Sequence, residues 1–93
     1  MAEKSNENKI IDADHRIDIT ELICPMTFVR TKLRLEKIAP GEVLEVRLRG
    51  DEPLVNVPRS ARQHGHTVLS LAPESPDQPA DGIHRLLIRR EDV

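Results

Sequence analysis

Two hydrophobic periods take turns along this chain, and their order constrains the fold more than any other feature. His15-Arg16-Ile17-Asp18-Ile19-Thr20 alternates, with Ile17 and Ile19 on one face, as a half-buried strand does. The spacing then becomes helical: Phe28, Thr31, Leu35 and Ile38 fall at i, i+3, i+7 and i+10. Val29 and Leu33 are expected to widen that apolar face, with Arg30, Arg34 and Lys37 opposite. Pro25 opens this helix and Ala39-Pro40-Gly41 stops it. From Val43 to Arg49 the alternation returns, with Leu44, Val46 and Leu48 on one face and Glu45, Arg47 and Arg49 on the other. Gly50-Asp51-Glu52-Pro53 reads as a turn. Asn56 is placed to cap a short second helix, with Pro58 in its first turn and Val57, Ala61 and His64 at i, i+4 and i+7. Gly65 then suits the position just past its end. His66 to Leu71 and Ile83 to Arg89 read as two further strands, joined across the breaker-rich stretch Ser75 to Gly82.

The predicted order is β-α-β-α-β-β. It implies an α/β (α+β) two-layer sandwich, a four-stranded mixed sheet with two helices on one face, and the last two strands antiparallel. A chain of 93 residues has room for one such domain. Phe28 is the only aromatic residue, so the core is aliphatic and small. Residues 1–14 are polar and read as a flexible lead-in, with a short edge strand at Ile10-Ile11 as the competing reading. The single domain is expected over 15–93.

Composition removes several function classes. Fourteen Lys and Arg against sixteen Asp and Glu give a formal net charge of -2, with no general drive toward nucleic acid or an anionic membrane. No stretch approaches the ~18 apolar residues of a membrane span, and Met1 to Lys9 has no apolar signal-peptide core. A cytoplasmic protein is expected. Cys24 is the sole cysteine, which excludes an internal disulfide and a Cys-rich zinc site. His15, His64, His66 and His84 are scattered, and neither a metal nor an organic cofactor is expected.

Cys24 is the one chemically pointed residue. It stands directly before Pro25, at the start of the first predicted helix. Amides and the dipole at a helix N-terminus stabilise an anion, so a thiolate there has a lowered pKa. The plain alternative is a small buried hydrophobe, as lone cysteines often are. Glu21, if it faced the thiol, would raise its pKa by like-charge repulsion.

The stretch Asp18-Ile19-Thr20-Glu21-Leu22-Ile23-Cys24-Pro25-Met26-Thr27 resembles the signature of the TusA/SirA-like sulfur-carrier family, which has a Cys-Pro-x-Pro element at its first strand–helix junction. The likeness continues through Lys32, Leu35, Gly41, Val57-Pro58, Gly65-His66-Thr67-Val68-Leu69 and Ile88-Arg89, covering residues 15 to 90. It departs at Thr27, where the family has its second proline, at Glu21, where a glycine is usual, and at Arg49-Gly50, where acidic residues are common. The resemblance implies a sulfurtransferase that relays persulfide sulfur on Cys24, with Pro25 starting the helix. Thr27, Glu21 and Asp18 would support that start. It also implies a donor such as a cysteine desulfurase or rhodanese-like protein, and an acceptor protein.

Met26 adjoins the motif and is a candidate docking contact. Arg30, Arg34 and Lys37 form a basic stripe that Arg59 and Arg62 extend if the helices lie side by side. Such a stripe suits an acidic partner or an RNA backbone, and an ordinary solvated face is the plain alternative. With no tyrosine or tryptophan, a base-stacking surface is disfavoured. A non-catalytic interaction module and a weak RNA-binding domain are the competing functions. No membrane contact is expected, and a polar open sheet face gives no reason to require a dimer.

Overall fold

The computed structural model describes residues 13–23, 26–77 and 79–92. Cys24, Pro25 and nearly all of the expected lead-in, including Ile10-Ile11, lie outside the described residues. The elements are β1 (His15–Asp18), α1 (Met26–Leu35), β2 (Val43–Leu48), α2 (Asp51–Gln63), β3 (Thr67–Pro73) and β4 (His84–Arg89). The predicted β-α-β-α-β-β order is therefore the observed one. The sheet runs β1-β2-β4-β3. β1 and β2 are parallel, as the α1 crossover requires. β4 is antiparallel to both β2 and β3, so it fills a gap left between two strands that run the same way.

The register explains the core. Ile17 pairs with Val46, Val46 with Leu86, and Leu44 with Ile88. Paired residues share a face, so the aliphatic side chains form rows under the helices. Leu44, Val46, Leu48, Leu86 and Ile88 are fully buried, together with Val57 and Ala61 of α2 and Leu35 and Ile38 from the end of α1.

The opposite face is covered by charge. Arg16 pairs with Glu45, Glu45 with Arg85, Arg85 with Glu74, Glu74 with Arg47, and Arg47 with Asp18, at 2.9 to 3.5 Å. Each exposed pair contributes little alone, but the alternating signs run across the outer face of the sheet.

Three readings of the sequence are corrected. α2 begins at Asp51, so Gly50-Asp51-Glu52-Pro53 is a helix start and not a free turn. Asp51 and Glu52 suit the positive end of the helix, and Pro53 sits where a missing N–H costs nothing. Asn56 is consequently inside the helix, where its Oδ1 accepts a hydrogen bond from Arg59 Nη2 at 2.6 Å, and Pro58 is interior and buried. Gly50 stands at φ 103°, and a Cβ there would lie 3.3 Å from Pro53 Cδ, so both backbone and space favour glycine. Lastly, Val29 and Leu33 are exposed and do not widen the buried face of α1. That face is carried by Thr27, Thr31 and Leu35, with Thr31 Oγ1 donating to Thr27 O at 2.9 Å. The hydroxyl is satisfied within the helix, which lets a threonine occupy a core position.

The end of α2 follows expectation. Gly65 adopts φ 91°, its N–H bonds Arg62 O, and the His66 N–H bonds Ala61 O. Those two bonds are a Schellman closure. Arg90 Nη1 similarly donates to Glu36 O and Ile38 O, closing the C-terminal end of α1.

Leu44 is fully buried at the centre of the sheet. Leu44→Ala is expected to cost about 2–5 kcal/mol, read as a lowered urea midpoint with an unchanged slope.

Candidate functional site

The residues flanking Cys24 on both sides are held by a dense set of local bonds. β1 runs on past its last strand residue, with Ile19 N–H bonding Arg47 O at 2.9 Å. Asp18 Oδ1 then accepts both the Thr20 N–H (2.9 Å) and the Thr20 hydroxyl (2.7 Å), closing the turn at the end of the strand. Leu22 N–H bonds Ile19 O, and Met26 N–H bonds Ile23 O at 2.8 Å. Arg49 Nε donates to Thr20 O at 3.2 Å and ties the turn to the end of β2. This is a role for Arg49 that sequence reasoning missed, because no period or motif distinguishes it from a solvated strand residue.

α1 begins at Met26 with no acidic residue in its first turn. The positive end of the helix dipole therefore meets no carboxylate from the helix itself. Glu21 is exposed. Thr27, expected to support the helix start, is buried in the first turn of the helix.

An open cleft of about 730 Å³ adjoins this segment, lined by residues 20–23, 49–53, 79 and 81–83. Its rim carries Glu21, Asp51, Glu52 and Asp81 against Arg49. The bond from Gly50 N–H to Asp81 O, 2.9 Å, joins two of its walls. A smaller hollow of about 260 Å³ lies at the other end of the sheet and includes Phe28, Lys32, His64, His66 and Arg90. There the Phe28 and His64 rings lie 5.2 Å apart, and Glu91 N–H donates to His66 Nδ1. Burial, reinforced by the charges of Arg90 and His64, pushes the His66 imidazole below its ordinary pKa.

Of the sequence-predicted residues, Asp18, Glu21, Met26 and Thr27 flank Cys24, with Met26 exposed. Arg30 and Lys37 are exposed on α1 and just beyond it, and Arg34 is half-exposed. Arg59 and Arg62 are exposed on α2, which packs beside α1. Ile23, Val29, Leu33 and Val55 are all apolar and all exposed, although the sequence places Val29 and Leu33 on the buried face and gives Ile23 and Val55 no docking role. Among the described residues, no group of three His, Cys, Asp or Glu could hold a metal ion, and no helix is long and apolar enough to cross a membrane.

The family model described as Sulfurtransferase TusA matches residues 15–90, the span from β1 to just past β4. The chain belongs to the TusA family. A candidate sulfur carrier protein of Archaeoglobus fulgidus is 43% identical over 65 residues, covering 70% of this chain and 74% of that one. The candidate sulfur carrier protein YedF of Escherichia coli K12 is 35% identical over 68 residues, covering 73% and 88%. The crystal structure of a SirA-like protein from Desulfitobacterium hafniense superposes with a TM-score of 0.66 at 19% identity, over 84% of this chain and 99% of that one. That likeness supports the fold. The departures at Glu21, Thr27 and Arg49 leave it intact, with Thr27 buried and Arg49 bonded across to Thr20 O.

The turn before Cys24 is also a titrating element. The Thr20 hydroxyl and amide, helped by Arg47, hold the Asp18 carboxyl below its ordinary value. Arg47, with Arg85, does the same for Glu74. Both groups bind protons more readily when unfolded. Their contribution is therefore complete above the unfolded carboxylate range, about pH 4, and is lost as pH falls through the lower folded values. The urea midpoint is expected to fall between pH 6 and pH 3, and Asp18→Asn to show a smaller fall than wild type.

Proposed function

We propose that this protein is a sulfur carrier, taking sulfane sulfur from a donor protein onto Cys24 and passing it to an acceptor protein. The supporting observation is the family match across 15–90, with the Cys-Pro pair at the junction between a strand and a helix. The names of the A. fulgidus and E. coli relatives point the same way.

The chemistry needs few groups. In loading, the Cys24 thiolate attacks the outer sulfur of the donor's persulfide. The donor's internal S–S bond breaks, a new S–S bond forms on Cys24, and the donor leaves as a thiolate. In delivery, an acceptor thiolate attacks the outer sulfur on Cys24 in the same way. Each exchange conserves electrons, so neither requires an oxidant or reductant. The helix start favours the anion at both stages, since thiolate and persulfide are both negative there. The pinned turn from Asp18 to Ile23 fixes the approach to that helix start. By the motif match Pro25 is the helix-starting proline, and Thr27 is buried in the first turn of α1. A lone cysteine suits a reducing cytoplasm, where the resting form stays a thiol.

Incubation of the reduced protein with a cysteine desulfurase and cysteine, followed by intact mass, tests the reading. The expected result is a gain of about 32 Da, one sulfur atom, on Cys24. The gain disappears on reduction and is absent in Cys24→Ser. A folded wild-type protein that gains no sulfur from any donor would overturn it.

A further inference from the structure

We infer that the outward face of α1 is where the sulfur-donor protein seats, and that this donor presents an apolar patch rimmed by carboxylates. The inference rests on the carrier reading and specifies the partner surface for it.

Apolar exposure is concentrated beside Cys24. Ile23 is 79% exposed, Met26 45%, Val29 38% and Leu33 50%. At about 100° per residue, Met26, Leu33, Arg30 and Lys37 fall within one arc of the helix, with Val29 at one border and Arg34 at the other. Thr27, Thr31 and Leu35 fall on the far side, and those three are buried. A run of exposed apolar residues rimmed by charge marks an interaction surface more often than a solvated one.

Most other cations among the described residues are engaged: Arg49 and Arg90 donate to backbone carbonyls and Arg59 to Asn56 Oδ1, while Arg62 of α2 resembles the cations of this arc in having no carboxylate partner. Arg16, Lys32, Arg47, Arg85 and Arg89 are each paired with a carboxylate. Among the described residues, Arg30, Arg34 and Lys37 have none within ion-pairing distance. α1 holds three basic residues and no acidic one, in a chain whose net charge is -2. The unpaired charge thus sits on the rim of the apolar strip, where a partner's carboxylates would complement it and raise the rate of encounter.

Composition selects a protein over RNA for this face. Phe28, the only aromatic residue, packs against His64, so the strip offers no ring for a base to stack on. Its apolar members are Ile, Met, Val and Leu, and methionine and arginine are enriched in protein interfaces. The strip begins at Ile23, the residue directly before Cys24. Docking along it brings the donor's persulfide to the thiol.

The test is the initial rate of Cys24 persulfidation as carrier concentration is varied, by intact mass, with a cysteine desulfurase plus cysteine and, separately, a rhodanese-like protein as donor. Leu33→Ser and the triple variant Arg30→Glu/Arg34→Glu/Lys37→Glu are compared with wild type. The expected result is a half-saturating concentration raised at least tenfold in both, with the maximal rate unchanged, and raised for wild type by added NaCl. Inorganic polysulfide is expected to load all three proteins equally, which checks fold and thiol together. Unchanged half-saturation in both variants overturns the inference. So does loading of wild type by polysulfide but by neither donor protein. Salt-sensitive transfer RNA binding lost in the triple variant, with half-saturation unchanged, overturns it in favour of an RNA face. Failure of polysulfide itself to load Cys24 overturns the carrier reading instead.

Discussion

Leu44, Val46 and Leu48 of β2 hold the two layers of this molecule together. All three are fully buried, and their strand is hydrogen-bonded to β1 on one side and β4 on the other. Each helix is attached to β2 as well. α1 delivers the chain to it in parallel with β1, and α2 leaves it through Arg49 and Gly50. With only one aromatic residue available, the core depends on these aliphatic rows keeping register, since a slip by one residue would turn each row into the charged face. The ion-paired outer face adds to that constraint, because Arg47 reaches Asp18 and Glu74 only in the observed register.

The same strand organises the ground around Cys24. Arg47 accepts the Ile19 amide on its carbonyl and pairs with Asp18 through its guanidinium. Arg49 holds the Thr20 carbonyl. The turn that leads to the cysteine is thus fastened to the most deeply buried strand of the sheet. A relay protein gains from such an arrangement. The reaction asks for one exposed, anionic sulfur in a fixed place, and its partners bring the leaving group and the acceptor. The hydrogen bonds that fasten the turn from Asp18 to Ile23 suit that need in the proposed carrier.

Much of this was legible in the sequence. The alternating strands gave their inward faces correctly because Leu44, Val46 and Leu48 are separated by charged residues that cannot be buried unpaired. Gly65 announced the end of α2 because a left-handed residue is needed there. The start of α2 was misplaced, although Asp51, Glu52 and Pro53 form an acidic, proline-bearing first turn that is itself a helix signal. The buried side of α1 was misjudged in part for a different reason. Thr27 and Thr31 serve as core residues, and nothing local distinguishes a threonine that satisfies its hydroxyl on the preceding turn from one facing water. The helical spacing alone therefore places Val29 and Leu33 inward, whereas both are exposed in the apolar strip beside the motif. The Cys-Pro pair itself was visible at once, whereas the bond from Arg49 to Thr20 depends on tertiary placement that no local pattern encodes.

The central claim is that the start of α1 favours an anionic sulfur at Cys24. The most direct measurement is the rate of iodoacetamide alkylation of Cys24 in the folded protein as a function of pH. The account predicts a thiol pKa clearly below ~8.5, the ordinary free value. A pKa at or above that value, measured on folded protein with an accessible thiol, would contradict it.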